Sequence, residues 1–184
     1  MRRLILALIL ALGLGLAGCG AAQPTTAVTP RADDEVRVEP AEGARAMEPI
    51  CFEEERCDAT DSDCDGAIDE GCEGARQGAL EVAMAAAGPA SLALILEGPG
   101  ADAGHAWEAA GACDDATWAR TARQTLDALA PGRYRVAVGP GRCPGEEGGT
   151  AATVSVSARG RLLGTWNVVV EAEPVDVVDL TVGP

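Results

Sequence analysis

The residues best suited to chemistry in this chain are four aspartates in a short acidic segment. Asp61, Asp63 and Asp65 occupy alternate positions, Gly66 follows, and Asp69 comes four residues after Asp65. A chain that wraps around a hard cation offers oxygens from alternate side chains, and a glycine at the sixth position allows a sharp turn. The spacing therefore predicts a calcium site, since calcium takes about six to eight oxygen ligands.

The predicted ligand shell extends beyond these aspartates. Ile68 is predicted to pack the loop onto its support, and the carbonyl before it adds an oxygen. The twelfth position is Cys72, so the closing glutamate of an EF-hand is missing, and no amphipathic helices flank the loop. Asp58 or water is a further candidate ligand to complete the shell. The alternative interpretation is an acidic loop that is held by disulfides and binds no metal. The predicted ligands are Asp61, Asp63, Asp65, Ala67, Asp69 and Glu70.

The cysteines predict disulfides in an exported protein. Seven cysteines are present, and six remain when Cys19 is set aside. An even number in an oxidising compartment favours three disulfides, whereas a zinc site is disfavoured because no C-x-x-C pair occurs and His105 lies far from the acidic segment. Four cysteines near the loop allow three pairings, and we expect the last two to pair with each other. The six are Cys51, Cys57, Cys64, Cys72, Cys113 and Cys143.

The acidic segment resembles a known repeat. Residues 57–71 are similar to the metal-binding repeat of MopE-like and myxobacterial surface proteins, typically C-D-G-x-D-N-D-C-D-G-x-x-D-E-G. Ala59 and Ser62 depart from that pattern, and the resemblance covers about residues 50–73. It implies a metal ligand, and this family is sometimes described as copper-binding. Hard carboxylates without histidine or methionine favour calcium over copper. The matching residues are Asp61, Asp63, Cys64, Asp65, Gly66, Asp69, Glu70 and Gly71.

The N-terminus predicts export and a membrane anchor. Arg2 and Arg3 precede an apolar run over residues 4–16, which is short for a membrane span. The following Leu-Ala-Gly-Cys resembles a bacterial lipobox, which implies cleavage after residue 18 and lipidation of Cys19 with diacylglycerol and palmitate. Gly20 is not aspartate, so the resemblance implies an outer-membrane or cell-surface location, with the periplasmic side also compatible. An ordinary signal peptide is the alternative.

Composition limits the domain organisation and the partners. Removing the signal peptide, residues 1–18, leaves 166 residues and takes the net charge from −15 to −17, because Arg2 and Arg3 are lost. A protein surface with this much negative charge repels nucleic acid and attracts divalent cations. We expect a lipidated, disordered tether over residues 19–50, an acidic cysteine-rich module over 51–73 and a larger domain over 76–184.

The larger domain is predicted to be an all-β, antiparallel β-sandwich. Apolar residues alternate with polar ones in six short runs bounded by Gly, Pro or Asp, and residues 123–129 are predicted to form a further strand after a helical or irregular segment. The Pro131-Gly132-Arg133-Tyr134 pattern resembles a strand of pre-peptidase C-terminal and YfaP-type β-sandwich domains. The runs are centred on Val82, Leu94, Val136, Val156, Val168 and Leu180.

Catalytic residues are not evident in the sequence. The single histidine, His105, has no G-x-S-x-G motif to accompany it, so we expect a binding or structural protein and not an enzyme. Trp107, Trp118 and Trp166 are expected to fill the core. A carbohydrate-binding accessory protein and a copper-binding surface protein are the alternatives. The sequence does not specify the ligand of the sandwich, and a cell-surface protein or a glycan is a candidate.

Overall fold

The computed structural model describes residues 36–73, 75–86, 91–101, 106–108, 120–141 and 149–184, with 106–108 and residue 120 described in backbone only. These residues contain ten strands and no helix. The strands are β1 (Val36–Pro40), β2 (Arg45–Met47), β3 (Leu80–Ala86), β4 (Leu92–Glu97), β5 (Ala106–Glu108), β6 (Arg120–Leu126), β7 (Gly132–Pro140), β8 (Thr150–Ala158), β9 (Arg161–Val170) and β10 (Val175–Val182).

The strands form two antiparallel sheets that enclose one core. Sheet A has the order β1-β10-β7-β4-β5, and sheet B has the order β2-β9-β8-β3-β6. Buried residues from both sheets belong to a single apolar cluster. The predicted all-β, antiparallel β-sandwich is therefore confirmed.

The core follows the alternation seen in the sequence, because successive side chains of a strand point to opposite faces. All six predicted runs lie in strands, and their central residues are buried in the cluster. Tyr134 is also buried, and its hydroxyl donates a hydrogen bond to the carbonyl of Ala130 at 2.9 Å. This bond fixes the start of β7 against the preceding turn. Strand β6 begins and ends three residues earlier than the predicted strand at 123–129.

The prediction of a tether over all of residues 19–50 is wrong for residues 36–47. Strand β1 pairs with β10 from Val36 to Pro40, and β2 pairs with β9. Val36 and Val38 are partly buried against the core. These short strands extend the two sheets, and their backbone groups bond to neighbours that are far away in the sequence.

The acidic module packs against the outer face of sheet B. Ile68 is fully buried in a small apolar cluster with Ala59 and Ala83, and Leu162 packs against this cluster. The Ser157 hydroxyl donates a hydrogen bond to the carbonyl of Gly66 at 2.8 Å. Ile68 thus has the packing role predicted for it. Within the described residues, no helix has the length and hydropathy of a membrane span.

Candidate metal centre

Two interleaved disulfides hold the acidic module together. Cys51 bonds to Cys64 and Cys57 bonds to Cys72, with Cα atoms 5.4 and 5.7 Å apart. Each bridge closes a short loop, and the two loops overlap over residues 57–64. This selects one of the three pairings left open by the sequence, and it supplies the constraint that flanking helices supply in an EF-hand. Cys113 and Cys143 lie outside the described residues, so their pairing stays a prediction.

The alternate aspartates turn the chain by accepting hydrogen bonds from amides further along the loop. Asp63 Oδ1 accepts from the N–H of Asp65 at 3.1 Å, and Asp65 Oδ1 accepts from the N–H of Ala67 at 2.8 Å. Asp61 Oδ2 accepts from the N–H of Gly66 at 3.0 Å. Each carboxylate thus uses one oxygen to shape the loop and retains a second one for a ligand. The carbonyl of Ala67 remains a predicted ligand.

Gly66 is required at its position for two separate reasons. Its φ of +104° lies in a region that residues with a side chain rarely adopt. A Cβ atom at this position would also lie 2.6 Å from the carbonyl oxygen of Gly160. The glycine therefore permits both the turn inside the loop and the close approach of the loop to the hairpin between β8 and β9.

The structure brings four of the six predicted ligand residues together and adds one that the sequence did not reveal. Glu55, Asp61 and Asp63 each offer a carboxylate oxygen within 4.8 Å of the others, and Asp63, Asp65 and Glu70 do the same. We call these five residues the carboxylate cluster. Glu55 precedes the predicted loop by six residues, and no regular spacing identifies it.

Glu55 ties the loop together through backbone amides. Its Oε2 accepts from the N–H groups of Ser62 and Asp63, both at 3.0 Å, and its Oε1 accepts from the N–H of Asp69 at 3.1 Å. Three of about four acceptor positions on this carboxylate are therefore used. One oxygen of this carboxylate lies within 4.8 Å of an oxygen of Asp61 and of Asp63.

Asp69 has a different environment from the carboxylate cluster. Its oxygens accept from the N–H of Asp58 at 3.0 Å and of Ala59 at 2.9 and 3.1 Å. The guanidinium of Arg123 on β6 forms an ion pair with Asp69 and donates to the carbonyl of Ile68 at 3.0 Å. Asp69 is predicted to be a metal ligand. In the structure its carboxylate instead forms the ion pair with Arg123 that joins the module to sheet B, and it belongs to neither group of the carboxylate cluster.

Two oxygens of the carboxylate cluster are buried without a hydrogen-bond partner among the described residues. They are Asp61 Oδ1 and Glu70 Oε2, and the Asp61 residue is only 4% exposed. A buried charged oxygen without a partner is costly, and native structures normally satisfy such groups. The arrangement therefore suits an additional positive ligand.

Burial raises the pKa values of three members of the cluster. For Asp61 the neighbouring charges of Asp65 and Asp63 raise the pKa further, and for Glu70 the charges of Asp65, Asp63 and Asp61 do so. The charge of Glu70 likewise adds to the effect of burial on the pKa of Glu55, although hydrogen bonds from amides lower it. Burial is the main cause of the raised pKa values, and repulsion between the like charges adds to it. A cation would relieve that repulsion.

The other side chains considered in the sequence do not extend this site. Trp166 is buried in the core, as predicted, and cannot serve as an exposed platform for a sugar. His105, Trp118 and Cys19 lie outside the described residues, and Trp107 is described in backbone only.

Comparisons of this chain with protein-family models, with curated proteins and with solved structures gave no significant match.

Proposed function

We propose that this protein is a lipid-anchored bacterial surface protein whose acidic module binds calcium. The observation that carries the proposal is the pair of buried oxygens, Asp61 Oδ1 and Glu70 Oε2, without hydrogen-bond partners in a cluster of five carboxylates. Arg76, Arg123 and Arg135 form ion pairs with carboxylates outside this cluster. A metal ion would supply a counter-charge to the five carboxylates.

The donor set favours calcium over a transition metal. The cluster offers carboxylate oxygens, which suit hard cations, whereas copper prefers imidazole and sulfur. The four module cysteines are joined in disulfides, so they offer no thiolates. The resemblance of residues 50–73 to a metal-binding repeat supports a metal and does not decide which one.

The N-terminal sequence supports an anchor in the outer membrane or at the cell surface. Arg2, Arg3 and the apolar run lead to Cys19 in a lipobox-like context. The disulfides of the module agree with an oxidising compartment. An anchored protein would expose both the acidic module and the sandwich to a protein or glycan outside the cell.

Thermal unfolding with and without calcium tests the metal assignment. Calcium in excess of its dissociation constant should raise the midpoint of the oxidised protein, because a ligand that binds only the folded state stabilises it. Copper at the same free concentration should raise it less. Equal midpoints with calcium and with a chelator would contradict the assignment.

Detergent-phase partitioning tests the anchor. Cys19→Ser should move the protein from the detergent phase to the aqueous phase, because the thioether-linked lipid can no longer form. Unchanged partitioning of the variant would refute lipidation and leave the calcium proposal untouched.

A further inference from the structure

The carboxylate cluster consists of two groups that share one residue. Glu55, Asp61 and Asp63 meet within 4.8 Å, and so do Asp63, Asp65 and Glu70. Oxygens bound to one calcium lie about 2.3–2.6 Å from the ion, so two of them are separated by at most about 5 Å. Each group meets this limit by itself, with Asp63 between the two.

Each group also contains one of the two buried oxygens without a partner. Asp61, which carries the unpartnered Oδ1, belongs to the first group, and Glu70, which carries the unpartnered Oε2, belongs to the second. Asp61 is more than nine-tenths buried, and its other oxygen is already bonded to the N–H of Gly66. An ion held by one group would bind the residue that carries the unpartnered oxygen of that group, and the residue that carries the other oxygen belongs to the second group.

We propose that the module binds two divalent cations, one in each group, with the Asp63 carboxylate bridging them. This inference rests on the proposed calcium function and specifies its stoichiometry. The first position extends beyond the D-x-D-x-D-G pattern, since it combines Glu55 with Asp61 and Asp63. The sequence motif alone predicts one ion.

The charge of the cluster agrees with two ions. Its five carboxylates carry five negative charges when ionised. One divalent cation leaves three of these charges uncompensated, whereas two leave one. The bridging carboxylate of Asp63 lies between the two positions and reduces the repulsion between the cations.

Glu55 can contribute to the first position without giving up its contacts with the loop. Its three accepted N–H bonds leave about one acceptor position, which allows one bond to a metal ion. Asp61 and Asp63 supply the other side-chain oxygens, and water completes the shell, as is common for calcium.

Native mass spectrometry of the oxidised full chain at increasing calcium concentration tests the stoichiometry. The wild-type protein should bind two calcium ions. Asp61→Asn should lose the ion of the first group, and Glu70→Gln should lose the ion of the second, so each variant should bind one. Both substitutions keep the size of the side chain, and the amide oxygen introduced by Asp61→Asn can still accept the hydrogen bond from the N–H of Gly66. Glu73→Gln, an exposed carboxylate in the same module, is the matched control and should bind two.

The outcomes separate this inference from the proposed function. One ion in the wild type, lost in both Asp61→Asn and Glu70→Gln, overturns the two-ion arrangement and leaves calcium binding intact. Loss of both ions in either variant overturns the assignment of separate positions. No ion in the wild type contradicts both proposals. Unfolding midpoints in the presence of a chelator, together with mapping of the two disulfides, verify that each variant is folded.

Discussion

At the scale of single residues, Asp69 and Arg123 join the module to sheet B. Their ion pair is largely buried, with side chains 5% and 17% exposed. Burial raises the pKa of Asp69 even though the charge of Arg123 lowers it. The cost of desolvating the carboxylate is therefore only partly offset by its partner, and removal of the partner would leave a buried charge unpaired.

Arg123→Ala should lower the free energy of unfolding by about 3 kcal/mol, because breaking a buried pair from one side leaves an uncompensated charge. Arg76→Ala is the matched control. Arg76 and Asp127 form a pair whose side chains are 74% and 81% exposed, so its loss should cost less than about 1 kcal/mol. Urea unfolding measures both. Equal effects of the two substitutions would show that Arg123 does not stabilise the module.

The carboxylate cluster should make stability depend on pH. Burial raises the pKa values of Glu55, Asp61 and Glu70 above their ordinary values of 4.5, 3.8 and 4.5. The folded protein therefore holds protons that the unfolded chain has already released, and stability falls as pH rises from the ordinary pKa values through the raised ones. Without calcium, the protein should become more stable as pH is lowered from 7 toward about 5.

Calcium should reverse this trend, since it binds the ionised carboxylates and protons compete with it. The gain in stability on adding calcium should be largest at neutral pH and should fade as pH drops toward the ordinary carboxylate range near 4. Chemical unfolding over a pH series, in chelator and in calcium, measures both effects. A calcium-free protein that gains stability steadily from pH 5 to 7 would contradict the raised pKa values.

Some residues of the candidate site could be predicted from the sequence, and others could not. The spacing of Asp61, Asp63 and Asp65 follows from how a short loop surrounds a cation, so it is visible locally. The role of Asp69 depends on Arg123, which is 54 residues away. Glu55 has no periodic relation to the loop, and only the folding of the chain across the disulfides brings it to the cluster.

At the scale of elements, the module is held by apolar packing as well as by polar contacts. Ile68 is fully buried against Ala59 and Ala83. Glu81 of β3 is buried, and it accepts a hydrogen bond from the N–H of Gly78 at 3.0 Å. The loop is therefore positioned by a sheet that has its own core on the opposite face.

Ile68→Ala should reduce the free energy of unfolding by about 2–5 kcal/mol, because it removes a fully buried side chain and leaves a cavity. Ile50→Ala makes the same chemical change at a side chain that is 71% exposed, and it should change stability by less than about 0.5 kcal/mol. Denaturant unfolding compares the two variants. A small effect at Ile68 would indicate that the module is not docked on sheet B.

The strands illustrate the limits of reading elements from the sequence. The runs around Val136 and Val156 were predictable because one face of each strand is buried, which imposes strict alternation. Strand β1 was not predicted, since it offers only Val36 and Val38 between acidic and proline residues. Its pairing with β10 is a tertiary contact, and tertiary context can override weak local preference.

At the scale of the whole molecule, the strongly acidic charge and the architecture support the same account. The chain carries a net charge of −15, and five of its carboxylates converge in one module. The sandwich buries its own core between the two sheets, apart from the small cluster around Ile68. Changes to the carboxylates of the module should therefore alter metal binding and leave the sandwich folded.

Isothermal titration with calcium tests this account most directly. The oxidised protein should bind calcium with a dissociation constant of about 10⁻⁴–10⁻³ M, which is typical of extracellular modules. Asp63→Ala combined with Asp65→Ala should abolish the heat of binding while the sandwich stays folded. Glu53→Ala combined with Glu54→Ala removes the same charge from exposed positions of the module and should preserve binding. Absence of calcium heat in the wild type, or equal binding by the two double variants, would contradict the account.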